Sequence, residues 1–299
     1  MRRLPILSTL RRRLEQEQGS ALAYFVISLT VLLGFAALLL DLGIGFLERR
    51  HMQNGADAAA LAGARVLALG GNTTAINTEV ARLATANGVS DYSWSLIDGG
   101  NGVQVRADTT FDTWFARVFG LNAIATGATG AATLAAVVET GNLLPMTTSC
   151  QAFTYQASYR MWASEDMESP GNFGWLDWDG RPVGNSELAS NIANPAQSGS
   201  WSINQWIPSG PGVQGSSQVE AALSTWIGRH VTIPLYDTVI GTGSGTEYRI
   251  CGFGQFVLTG FNFQGSDKWV EGYFIRHILP GARSGNGPDY GVRTVRITQ

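Results

Sequence analysis

The sequence predicts a mixed α+β protein in which one long N-terminal helix leads into a small α+β layer and then into a mostly β region. Three observations support this fold class: an uncharged apolar run at residues 21–40, an alanine-rich helical pattern after it, and frequent Trp, Tyr, Phe and Gly beyond residue 142. We therefore expect four parts: a basic tail (1–18), a transmembrane helix (19–42), a helix extension with a small α+β domain (43–141) and a mostly β domain (142–299).

The apolar run at residues 21–40 contains no charged residue. A helix of about twenty residues, rising 1.5 Å per residue, spans a hydrocarbon core of roughly 30 Å. We interpret the run as a single membrane-spanning helix. The side chains expected to anchor it are apolar: Leu22, Phe25, Ile27, Leu32, Leu33, Phe35, Leu38 and Leu40.

Five arginines and two glutamates precede this run. Basic residues beside a first span are held on the cytoplasmic side, so the N-terminus is expected in the cytoplasm and the C-terminal bulk outside it. A cleaved secretory signal is the alternative. The run is longer than a typical signal core of about 7–15 residues, and no clear cleavage site follows it, which favours a retained anchor.

Small residues recur on one face of the helix after the span. Residues four apart share a helix face, and a row of small side chains lets another helix or a sheet approach closely. High helix propensity is the simpler explanation of the same alanines. We predict a packing face made by Ala56, Ala60, Gly63, Ala64 and Ala68.

The layer after the helix is predicted in the order helix, strand, strand, helix, strand. A helix is expected at 74–86, and strands at 92–97 and 103–107 are joined by a glycine-rich turn. Asp112 then caps a short helix, and residues 123–138 form another extended segment. Such a layer buries its sheet against helices, including the alanine face.

The region beyond residue 142 is predicted to be mostly β, with one clear helix at 219–226 and a weak one around Leu188 and Ile192. Strands are expected at 146–154, 160–162, 230–236, 248–263, 269–278 and 293–297.

The chain has two cysteines, Cys150 and Cys251. In an oxidising compartment an even pair favours a disulfide, here closing a loop of about 100 residues. Two buried free thiols are the alternative.

Composition and motifs argue against several functions. A net charge of −3 gives no basic field for nucleic acid. The three histidines are scattered, and no zinc motif or nucleophile elbow occurs in a suitable context. Residues 91–95 match the D-x-S-x-S string that binds Mg²⁺ in von Willebrand A domains, but a helix end precedes them and a hairpin follows, which favours a strand. We predict no enzyme activity and no cofactor.

Asp177 and Asp179 precede Gly180 and are weak candidates for binding a metal such as calcium. Hard cations need several oxygens at once, and this fragment lacks the spacing of an EF-hand loop. A solvated turn is the preferred interpretation. As the catalytic pair of a glycosidase, or of another membrane-bound hydrolase, the same acids have no support beyond the nearby Trp175 and Trp178.

Six tryptophans of the β region could line a sugar-binding face, which gives an alternative function as a membrane-tethered adhesin or carbohydrate-recognition protein. Aromatic side chains more often fill cores between sheets. The six are Trp162, Trp175, Trp178, Trp201, Trp206 and Trp269.

The N-terminal region resembles that of TadE/TadG-like Flp pilus-assembly proteins. The resemblance rests on Gly19 before the span, Asp41 and Gly43 at its end, and the string MQNGADAAALAGA at 52–64. The resemblance continues through Asn87-Gly88 and the string FARVFG at 115–120. Residues 171–175 and 233–237 show a weaker similarity to the extracytoplasmic regions of TadG-related proteins.

This resemblance implies a non-enzymatic, single-pass protein of the bacterial cytoplasmic membrane that acts in Tad/Flp pilus assembly or as a minor pilin-like subunit, exposed at the cell surface or in the pilus. Its partners would be the lipid bilayer and other pilus proteins, in a homo- or hetero-oligomer. Prepilin-like members carry Glu five residues after the glycine, whereas this chain has Tyr24, so cleavage after Gly19 is not expected. The von Willebrand A domain of some TadG proteins is also not expected here.

Overall fold

The computed structural model describes residues 6–161, 174–181, 184–210, 216–242, 245–265 and 268–298, with side chains from residue 21 onwards. The predictions for Trp162 and residues 171–173 lie outside this part. The described elements form a mixed α+β fold with a long N-terminal helix, which confirms the predicted fold class.

Four α-helices lie in the described part of the chain. The first is about 95 Å long at 1.5 Å per residue, and it begins well before the predicted span. Its end is set by Gly70, whose φ of 82° suits glycine, and by the Gly71 N–H, which bonds to the Val66 carbonyl. The helices are α1 (Ile6–Ala68), α2 (Thr73–Ala86), α3 (Asn185–Ala193) and α4 (Ser217–Ser224).

The strands build two sheets. In chain order they are β1 (Asp91–Ile97), β2 (Gly102–Asp112), β3 (Ala123–Gly141), β4 (Thr148–Ser149), β5 (Ser158–Met161), β6 (Ser200–Ser202), β7 (Trp206–Pro208), β8 (His230–Ile240), β9 (Glu247–Asn262), β10 (Trp269–Ile275), β11 (His277–Ile278), β12 (Arg283–Gly285) and β13 (Val292–Thr298).

The first sheet has the order β1-β2-β3-β13-β11, with β6 and β12 also paired to β3. Strand β3 is central to this sheet, because one edge pairs with β2 from Ala123 to Thr133 and the other edge pairs with β13 from Ala131 to Ala136. The C-terminal strand therefore completes a sheet begun by the middle of the chain, and strand pairing crosses the predicted boundary at residue 142.

The second sheet has the order β4-β8-β9-β10-β5, with β7 paired to β9. Its core is covered by α3 and α4, which contribute Leu188, Ile192, Val219 and Leu223 to the same buried cluster as Trp175. Burial alternates along β10, whereas residues 231–235 of β8 and 250–258 of β9 are buried without a break, so these central strands are covered on both faces.

Two local predictions are wrong. The strand expected at 146–154 is reduced to β4, because the Thr147 N–H bonds to Gly174 instead of to the neighbouring strand. The helix expected after Asp112 is a 3₁₀ turn, Ala116–Phe119, and its N-terminus has no side-chain cap from its own segment.

Candidate assembly and membrane interface

The small-residue face of α1 is covered by the chain itself. Ala56, Ala60, Ala64 and Ala68 are completely buried, and Gly63 is buried beside them. The core that Ala56, Ala60 and Ala64 share contains Ile76 and Val80 of α2 and side chains of β2 and β3 such as Val103, Val105, Ala107 and Ala132. The small-residue face therefore packs inside the α+β layer.

Two glycines allow this close packing. A Cβ on Gly130 of β3 would lie 2.5 Å from the backbone of Ala56 and Asp57, so the strand touches the helix backbone directly. A Cβ on Gly63 of α1 would lie 2.8 Å from Val80 and 3.0 Å from Val103. No further helix fits between α1 and the sheet, so a partner protein would have to bind at another surface.

The apolar end of α1 is bare, in contrast to this buried face. Within the described residues, α1 is the one helix long and apolar enough to cross a membrane, by length and composition, and its most apolar window has no buried residue. The eight predicted anchor side chains are 49% to 66% exposed. This distribution fits a membrane-anchored protein.

Asp41 lies where the bare part of α1 meets the packed part. It is 3% exposed, and its carboxylate accepts the backbone N–H groups of Trp114 at 2.8 Å, Phe115 at 3.0 Å and Ala116 at 2.6 Å. The carboxylate does the capping that was expected of Asp112, which is exposed. Asp41 thereby fixes the loop between β2 and β3 to the helix.

Sequence reasoning named Asp41 as part of a motif but missed this role. The partner amides are 73 to 75 residues away in the chain, and no local pattern connects them. The available signal was an acidic residue at the end of an apolar run, which needs hydrogen-bond donors if it stays close to the bilayer.

The predicted disulfide is present between Cys150 and Cys251, whose Cα atoms are 6.7 Å apart. Cys150 follows β4 and donates its N–H to Tyr236 of β8, while Cys251 lies in β9. The bond therefore joins the edge of the second sheet to its centre, beside an irregularity in the pairing of β8 with β9 around Tyr236.

The acidic pair at 177 and 179 forms a turn. The buried Asp177 carboxylate accepts the Asp179 N–H at 3.2 Å, and Asp179 accepts the Arg181 N–H at 3.0 Å. Burial raises the pKa of Asp177 above its ordinary value, and the nearby Asp179 carboxylate adds to this effect. Among the described residues, no group of three His, Cys, Asp or Glu side chains could hold a metal ion.

The tryptophans proposed as a sugar-binding face do not share one environment. Trp175 is buried in the core of the second sheet, and Trp178 packs at 6.1 Å against Trp201. The Arg160 guanidinium lies 4.5 Å above the ring of Trp269, and Trp206 is partly exposed on β7. Residues 91–95 likewise belong to strand β1, paired one to one with β2.

The N-terminal part of the chain is similar to a known protein family. Residues 19–66 match the family model of the TadE/G-like Flp pilus-assembly domain. This confirms the resemblance for the N-terminal segment, which contains the bare span, Asp41 and most of the small-residue face.

The similarity of this segment to TadE/G-like proteins supports a role associated with Tad/Flp pili and their proteins. No curated protein and no solved structure matches the chain.

Proposed function

We propose that this protein is a non-enzymatic, membrane-anchored component of a Tad/Flp pilus system. Its N-terminus lies in the bacterial cytoplasm and its β region outside the membrane, where it acts in pilus assembly or as a minor pilin-like subunit. One observation carries the proposal: the segment that matches the pilus-assembly family is a single unbroken helix. Its apolar first part is exposed, and its second part packs against a sheet.

The geometry supports a mechanical role for that helix. α1 continues from the span through Asp41 into the packed region, and Gly130 brings β3 into contact with its backbone. A helix fixed in this way cannot tilt relative to the sheet without breaking the core. The orientation of the external region is therefore set by the span, and partners outside the membrane meet one defined surface.

The residue at position 24 favours retention of the basic tail and, with it, the assembly role. Tyr24 stands where prepilin-like relatives are expected to have Glu, and its side chain is 72% exposed among the apolar side chains of the span. A chain that keeps its basic tail remains anchored in the cytoplasmic membrane. Intact mass of the protein purified from membranes would measure whether residues 1–19 are retained.

The test is deletion of the gene, with surface pili counted by electron microscopy, followed by complementation. The wild-type chain should restore pili and Ala60→Leu should not, because leucine does not fit between α1 and the sheet. Ala86→Leu is the matched control, since Ala86 is exposed on α2. Normal piliation in the deletion strain would refute the proposal, and glycan binding by the protein in that case would favour the adhesin alternative.

A further inference from the structure

The loop between β2 and β3, residues 113–122, carries an unusual set of exposed side chains. Val118 is 81% and Phe119 86% exposed, and a cluster of exposed apolar side chains is typical of a protein or membrane contact site. The other exposed apolar side chains of the loop are Trp114, Phe115 and Leu121.

The loop lies against the bare part of α1. Phe115, Ala116, Val118 and Phe119 line one side of an apolar cavity of about 510 Å³, and residues of the span line the other. The helix residues involved are Leu33, Gly34, Ala36, Ala37, Leu38 and Leu40. At 1.5 Å per residue they occupy roughly the outer 10 Å of the span.

At least seven of the ten backbone N–H groups of the loop have hydrogen-bond partners in the protein. Three of its N–H groups bond to Asp41, and four more bond within the loop: Thr113 to Asn122, Val118 to Phe115, Gly120 to Arg117 and Leu121 to Ala116. A non-helical segment is excluded from hydrocarbon chiefly because of unpaired backbone groups. Most of the free-energy cost of placing unpaired backbone groups in hydrocarbon is therefore absent for this loop.

The polar groups of the loop lie at its base. Asp112 is the last residue of β2, Asn122 directly precedes β3, and the Arg117 Nε donates to the Thr113 carbonyl at 2.6 Å. An arginine held towards the base can place its charge among lipid headgroups while its neighbours lie deeper. Trp114 is of the type enriched at that boundary.

From these observations we propose that residues 113–122 form a second membrane contact, inserted among the acyl chains of the outer leaflet beside α1. Lipid is the occupant because the cavity is continuous with the ring of exposed span side chains, so the same hydrocarbon that surrounds the helix must fill it. Two contacts, unlike one helix, fix the rotation of the protein about the span. The inference rests on the proposed membrane anchoring of α1.

The experiment uses the full-length protein in vesicles of phosphatidylethanolamine and phosphatidylglycerol. Spin labels are placed at single added cysteines, with the native disulfide intact, and collisions with oxygen and with a water-soluble nickel chelate are measured. The variants are Val118→Cys and Phe119→Cys in the loop, Leu38→Cys as the control in the span, and Ile240→Cys as the control on an exposed strand end.

We expect the loop labels to collide often with oxygen and rarely with the nickel chelate, as the Leu38→Cys label does. The Ile240→Cys label should collide often with the nickel chelate and less often with oxygen. Nickel collisions at the loop with a protected span label would overturn the inference and leave the anchor standing. Loop labels shielded from both reagents would show a covering protein and also overturn it. A span label open to nickel would refute the anchoring itself.

Discussion

The carboxylate of Asp41 accepts the backbone N–H of Ala116 at 2.6 Å, joining the outer end of the apolar span to a residue 75 positions further along the chain. The same carboxylate holds Trp114 and Phe115, so three successive amides converge on one side chain. Charge-assisted hydrogen bonds of this kind are stronger than neutral ones. Asp41 therefore links the packing of α1 to the position of the loop.

Replacing Asp41 should release the loop without unfolding the sheet. In Asp41→Ala the three amides lose their acceptor, and their hydrogen exchange should become faster by about tenfold or more. Asp41→Asn keeps one acceptor oxygen and should give an intermediate effect. Amide exchange measured by mass spectrometry on the protein in micelles would resolve the peptide containing residues 114–116.

Asp112→Ala is the control for this measurement, since Asp112 is exposed and makes no cap to the 3₁₀ turn. Its exchange at residues 114–116 should match that of the wild-type protein. If Asp112→Ala accelerates exchange and Asp41→Ala does not, the assignment of the cap to Asp41 is wrong.

The elements of the first layer could be predicted because their signals are local. The alanine row, the glycine-rich turn at 98–102 and the glycines after α1 each determine structure within a few residues. Capping by Asp41 could not be predicted, because sequence favours the nearest acidic residue, Asp112, and the true acceptor is brought close by the fold. Long-range proximity has no local signature.

The same limit explains the sheet topology. Residues 293–297 were expected to be a strand, but their pattern does not identify a partner. They pair with β3, more than 150 residues earlier, along the edge that β2 leaves free: residues 131–133 of β3 pair with β2 on one side and with β13 on the other. The strand predicted at 146–154 failed for a related reason, since its backbone bonds to several neighbours in turn.

A methyl group on Gly130 should separate α1 from the sheet. Its Cβ would lie 2.5 Å from the helix backbone, which cannot move aside as a side chain can. We expect Gly130→Ala to lower the free energy of unfolding by about 1–3 kcal/mol, the usual cost of overpacking. Denaturant unfolding in micelles, followed by near-ultraviolet circular dichroism, would measure it.

Gly245→Ala is the matched control, because nothing lies within 4 Å of the added atom and its φ is not positive. The denaturant concentration at the midpoint of its unfolding should equal that of the wild-type protein. Equal midpoints for Gly130→Ala and the wild-type protein would show that α1 does not pack as closely as the structure places it.

Removal of the disulfide should destabilise the second sheet. Cys150 and Cys251 are 101 positions apart, and a loop of that length is worth up to about 4.7 kcal/mol in the chain-entropy model, with typical losses of about 2–5 kcal/mol. Cys150→Ser, Cys251→Ser and the double variant should lose the same amount, since each removes the same bond. A wild-type midpoint in Cys150→Ser, or no change when the wild-type protein is reduced, would contradict this.

The stability of the fold should decrease in mild acid because of His277. Burial lowers its pKa below the ordinary value of 6.5, and the neighbouring His230, with ring centres 6.0 Å apart, lowers it further. The unfolded chain then binds more protons than the folded one as the pH falls below about 6.5, so the free energy of unfolding falls with it until the folded pKa is passed. Denaturant unfolding midpoints measured at a series of pH values below about 6.5 should show this decline in stability.

His277→Gln should flatten this part of the stability curve, because glutamine removes the titrating group while keeping a polar side chain of similar reach. His51→Gln serves as the control, since His51 is exposed on α1. It should leave the slope of the wild-type curve unchanged. A slope that persists in His277→Gln and disappears in His51→Gln would assign the acid sensitivity to the helix instead of to the histidine pair that joins β8 to β11.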